Sequence, residues 1–108
     1  MRPDQVARED MQAMDALVRP LLTELADAVW GHNGRLRRKW RLTHEGAIWL
    51  ATHAQPAEVF RVRVDLAQRR FQVDCHAGPI ITEDLGDEAL RRALAVAHHR
   101  GPAQPGEL

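Results

Sequence analysis

From residue 58 to residue 66 apolar and polar side chains take turns. Phe60, Val62, Val64 and Leu66 share one parity, and Arg61, Arg63 and Asp65 the other, with Val59. Successive strand side chains point to opposite faces, so this stretch can bury one face only as an extended strand. The pattern returns over 69–76, where Phe71, Val73 and Cys75 oppose Arg70, Gln72, Asp74 and His76. It is present again over 35–43, where Leu36, Trp40 and Leu42 oppose Arg35, Arg37, Lys39, Arg41 and Thr43, with Arg38 breaking the alternation. Residues 47–53 are apolar on both sides. Here the reading places Ile48 and Leu50 toward the core and Ala47, Trp49, Ala51 and His53 outward. Gly46, Ala54–Ala57 and Ala67-Gln68 leave only short connections, which require antiparallel neighbours.

Helices flank the strands. Over 5–30, Met14, Leu17, Val18, Leu21, Leu25, Ala28 and Val29 recur at three- and four-residue steps, on one face of a helix. Pro20 lacks an N–H and crowds the preceding turn, so a kink is expected there. Gly31, Asn33 and Gly34 stop the helix. A second helix runs from Asp84 or Asp87 to Arg100, with Leu90, Ala93, Leu94 and Ala97 as its stripe and Gly101-Pro102 as its stop.

The order predicts a two-layer α+β domain over residues 1–100: a kinked N-terminal helix, a four-stranded antiparallel meander and a C-terminal helix, with both helices on one sheet face. Gly78-Pro79 is read as the end of the sheet, and residues 101–108 as a disordered tail. At 108 residues with 44% hydrophobic and 28% charged content, the chain has material for one core. It has no apolar run of roughly 20 residues to span a membrane. The N-terminus lacks the apolar block of a signal peptide, and a lone Cys75 suits a reducing compartment, so a cytoplasmic protein is expected.

Charge is sorted along the chain. Residues 35–76 hold nine basic and four acidic side chains, a balance of +5, between a −3 segment before and a −2 segment after. If both helices cover one face, the other presents Arg35, Arg37, Lys39, Arg41, Trp49, His53, Arg61, Arg63, Arg70 and His76. These ten residues are the candidate binding site. Arg and Trp are favoured at protein–protein hot spots, so the leading expectation is a non-catalytic binding or regulatory protein that contacts an acidic partner, or itself. The alternative is a nucleic-acid binder that holds phosphates with guanidinium groups and stacks a base on Trp49. A face that is merely solvated is the third reading. The width of the first helix's stripe, which includes Met11, Met14, Leu21 and Leu22, raises a further expectation of packing against a second copy.

Other chemistry finds little support. Adjacent Cys75 and His76 point to opposite faces of a strand and cannot act as a pair. His98-His99 lacks the i, i+4 spacing of helical metal ligands, and no four-ligand zinc pattern occurs. Gly31-His32-Asn33-Gly34 fits the short Gly-x-x-Gly clamp of nucleotide backbones but joins a helix to a strand rather than two helices. No enzyme activity, metal or cofactor is expected.

Overall fold

The computed structural model describes residues 3–31 and 40–108, and the side chains of the first helix from residue 9. Helix α1 (Pro3–Trp30) is followed by strands β1 (Trp40–Glu45), β2 (Ile48–His53), β3 (Glu58–Asp65), β4 (Arg70–Cys75) and β5 (Gly78–Ile81), then by helix α2 (Asp87–Arg100). The strands form one antiparallel sheet in sequence order. Helix α1 lies on β1–β3 and α2 on β4 and β5, and the two helices touch. Their stripes and one face of the sheet form a single core. The expected α+β architecture is therefore present, with one strand more than the alternation predicts.

That fifth strand arises at the residues read as the sheet's end. His76 and Ala77 make the turn, with Ala77 at φ 72° and Gly78 at φ 107°. Gly78 then pairs with Cys75, and Pro79 with Asp74. A proline cannot donate to a ladder, but β5 is an edge strand and does not need that donor on its outer side. Thr82 extends the pairing: its N–H donates to the Phe71 carbonyl (3.0 Å), and its Oγ1 accepts from the Phe71 N–H (2.8 Å).

Helix α1 runs unbroken through Pro20. Val18, Leu21, Leu22, Leu25 and Ala26 are buried, and Met11 and Met14 lie half-buried against the same core. The sheet and α2 within this one chain therefore account for the width of the stripe. In α2, Leu90, Ala93, Leu94 and Ala97 are the buried positions, as the periodicity requires.

The register of β2 differs from the sequence reading by one residue. Trp49 pairs with Val62 and Ala51 with Phe60, so Trp49 and Ala51 face the helices, while Ile48 and Leu50 face away. Trp49 is fully buried. Alternation cannot choose between faces of a strand that is apolar on both, and a one-residue slip exchanges every side chain. The choice is made by tertiary contacts. The indole Nε1 of Trp49 donates to Asp15 Oδ1 of α1 at 2.8 Å, and the ring stacks on His44 at 4.2 Å. Asp15 also accepts from Arg19 Nε (3.1 Å), and His44 Nδ1 lies 3.5 Å away.

The C-terminal segment is not the disordered tail that its Gly and Pro content suggests. Ala103 is fully buried and exchanges two hydrogen bonds with Val59 (2.8 and 2.9 Å), continuing the sheet where β4 has ended. The His76 N–H donates to the Gly101 carbonyl at 3.0 Å, and Glu107 lies 3.2 Å from His76 Nδ1. Backbone pairing over two residues suffices to hold a segment that has almost no side-chain core of its own.

Two outcomes follow from the Trp49–Asp15 contact. Trp49→Ala, which empties the space of a buried indole, should destabilise the fold by about 3–5 kcal/mol in urea unfolding. Trp49→Phe, which removes chiefly the N–H donor, should cost about 1–2 kcal/mol. The second outcome concerns pH. The Trp49 N–H, followed by Arg19, holds the Asp15 carboxyl below its ordinary value. A depressed folded-state pKa gives stability that is full above the unfolded pKa and is lost as pH falls through the folded one. Asp15→Asn should therefore flatten the acid limb of a stability–pH curve while changing its basic limb little.

Candidate functional site on the uncovered sheet face

Among the described residues no helix covers the sheet face opposite the core. Pairing arranges that face in rows running across the strands. One row is Glu45, Ile48, Arg63, Gln72 and Ile81; the next is Thr43, Leu50, Arg61, Asp74 and Pro79; a third holds Arg41, Thr52 and Val59. Asp65 and Arg70 face each other at the turn end. The alternation of β3 and β4 fixes these positions directly, and the short β1–β2 and β3–β4 turns bring the rows into line.

The candidate residues separate into four groups. Arg41, Arg61, Arg63 and Arg70 lie on the uncovered face, as expected. Trp49 and His53 do not. Trp49 is in the core, and His53 pairs with Glu58 on the helix side, where its ring stacks on Trp30 at 5.5 Å and its Nδ1 lies 3.0 Å from the Pro56 carbonyl. Both corrections have one cause, the shifted register of β2. His76 sits in the β4–β5 turn, beside Glu107. Arg35, Arg37 and Lys39 lie outside the described residues.

The centre of the face is neutralised from within. Asp74 is only 5% exposed although it stands on the uncovered side, because its neighbours fold over it. Arg61 Nε donates to Asp74 Oδ2 at 2.6 Å, Gln72 Nε2 donates to Oδ1 at 2.9 Å, and Arg63 Nε lies 3.7 Å from Oδ2. One carboxylate thus occupies one arginine fully and a second in part. With Glu45, Asp65 and Asp74 against Arg41, Arg61, Arg63 and Arg70, the described part of the face is positive by a single unit. Arg41 and Arg70 make no hydrogen bond or ion pair among the described residues. Apolar side chains flank this network, with Ile48 at 37% and Ile81 at 52% exposure.

Sequence reasoning overlooked Ile48, Leu50 and Ile81 as surface residues. The signal for Ile48 and Leu50 was the doubly apolar composition of β2, which cannot be wholly buried in a two-layer domain. For Ile81 it was the pair Ile80-Ile81, one of which must face outward in a strand. Cys75 behaves as a core residue: burial pushes its thiol pKa up despite nearby Arg100, and its Sγ lies 3.6 Å from the Gly78 carbonyl. Among the described residues no group of His, Cys, Asp or Glu is placed to hold a metal ion, and no helix is long and apolar enough to cross a membrane.

Asp74→Asn should leave Arg61 without its anionic partner on a nearly closed surface. The expected loss is about 2–3 kcal/mol of stability, read by denaturant unfolding. In an Asp74→Asn, Arg61→Gln double variant part of that loss should return, because the more buried of the two arginines that Asp74 serves is removed with it and only the more exposed Arg63 is left.

No protein-family model, curated protein or solved structure matches this chain, so its function is inferred from the chemistry of the uncovered face.

Proposed function

We propose that the protein is a non-catalytic binding protein whose uncovered sheet face contacts a protein partner bearing acidic and aliphatic side chains. The observation that carries this reading is the presence on one face of exposed aliphatic side chains, Ile48 and Ile81, and of two arginines, Arg41 and Arg70, whose side chains have no hydrogen bond or ion pair among the described residues. Protein interfaces combine an apolar centre with arginine, which contributes both its stem and its planar guanidinium. Arg61 and Arg63, held on Asp74, act as a rigid platform rather than as free cations. A carboxylate brought to Arg41 or Arg70 displaces no ion pair among the described residues.

Burial of Trp49 withdraws the support for base stacking, because the described part of the face carries no aromatic side chain. The arginines keep a phosphate contact as the competing outcome. The two are separated by fluorescence anisotropy with a labelled Glu-rich, Leu-containing peptide and a labelled single-stranded oligonucleotide, each at low and moderate salt. The peptide should bind, and Ile81→Ser and an Arg41→Ala, Arg70→Ala double variant should each weaken it about tenfold or more, as expected of interface anchors. Oligonucleotide binding that falls steeply with salt, without peptide binding, would reverse the assignment in favour of nucleic acid. No binding of either at low salt would remove an anionic partner altogether.

A further inference from the structure

At the turn end of the sheet a cavity of about 470 Å³ opens beside the uncovered face and reaches round to α1. Its walls include Met11, Val64 and Ile81 on the apolar side and Arg63, Asp65 and Arg70 on the polar side. The volume lies in the range of small-molecule sites, roughly 300–1,000 Å³, and such sites pair apolar walls with a few polar groups that orient the ligand. Two donors here are unsatisfied. The Nε of Arg63 is buried with no hydrogen-bond acceptor, since Asp74 lies beyond hydrogen-bond distance, and Arg70 has no partner among the described residues. The Nε itself is closed to an incoming group, but the Arg63 side chain as a whole is 42% exposed and lines the cavity.

The charge balance limits what can enter. Arg63 is shared with Asp74, and Asp65 stands on the same wall, with one of its oxygens accepting the Gln68 N–H at 3.0 Å. Arg61, Arg63 and Arg70 against Asp65 and Asp74 leave one net positive charge at this end of the face. A single negative charge matches it, whereas a doubly charged phosphate would bring excess negative charge against Asp65. Met11, Val64 and Ile81 meanwhile need an aliphatic body beside the charge.

We propose that this cavity binds a small aliphatic monocarboxylate, with its carboxylate between Arg70 and Arg63 and its chain against Met11, Val64 and Ile81. Planar guanidinium and carboxylate groups pair through two parallel hydrogen bonds, which fixes orientation as well as charge. The site goes beyond the protein-contact reading and shares Arg70 and Ile81 with it, so a partner seated there would compete with a free acid, while binding of the acid to the free chain does not rest on that reading.

The test is a two-dimensional amide NMR titration of the full chain with sodium hexanoate, and with hexanol and inorganic phosphate as comparison probes. Hexanoate should give saturable shifts confined to residues 63–66, 70–72 and 81, with the millimolar affinity ordinary for so few atoms. Arg70→Gln, whose fold is checked by the dispersion of the same spectrum, should weaken hexanoate about tenfold, while Arg92→Gln on the exposed side of α2 should leave it unchanged. Hexanol binding as tightly as hexanoate would overturn the proposal by showing an apolar pocket without charge recognition. Phosphate binding more tightly than hexanoate, or hexanoate binding indifferent to Arg70→Gln, would overturn it as well. Peptide binding to the sheet face without any hexanoate shift would overturn the carboxylate site and leave the protein-contact reading standing.

Discussion

A buried indole must place its N–H, and in this chain the acceptor comes from another element. Asp15 sits on α1, more than thirty residues before Trp49, and joins the helix to the sheet at one defined position. The contact sets which face of β2 is inside, and with it which residues of β2 meet those of β1 and β3 on each side of the sheet. His44, stacked on the same ring and 3.5 Å from the same carboxylate, ties the β1–β2 hairpin to α1. A shifted β2 would leave the indole on the uncovered side, Asp15 without its donor from the sheet, and Ile48 and Leu50 in a core shaped for Trp49 and Ala51.

The opposite face answers to a second carboxylate. Asp74 draws Arg61, Arg63 and Gln72 over itself and becomes nearly inaccessible on a side that no described helix covers. This makes the face far less positive than its count of arginines implies. It also sorts the arginines by availability: Arg61 is committed, Arg63 is shared, and Arg41 and Arg70 have no ion pair among the described residues. Binding at such a face is expected at its margins, where Arg70 and Ile81 line one cavity, rather than at its centre.

Much of the fold was legible in the sequence where only one face of an element could be buried. Phe60, Val62, Val64, Phe71 and Val73 alternate with polar residues, and the structure buries all five. Leu90, Ala93, Leu94 and Ala97 read as a helical stripe and form one. The candidate site was legible to the same extent, since Arg61, Arg63 and Arg70 lie where alternation puts them. It failed for Trp49 and His53, whose strand is apolar on both faces and carries no internal signal of register. It failed also at Gly78-Pro79 and beyond Gly101, where residues that usually end regular structure serve an edge strand and a bridge to Val59.

By itself, then, the sequence determined which segments are helices and strands, their antiparallel order, and the inward faces of β3, β4 and α2. Those properties depend on periodicity, which is local. Tertiary structure alone decided the register of β2, the addition of β5, the anchoring of the tail and the charge that remains on the uncovered face. Each of these depends on a pairing that periodicity does not encode: Trp49 with Asp15, Thr82 with Phe71 at the end of the added strand, Ala103 with Val59, and Asp74 with Arg61. No count along the chain can report whether a buried donor finds its acceptor or a cation its counter-charge, because that depends on which residues folding brings together.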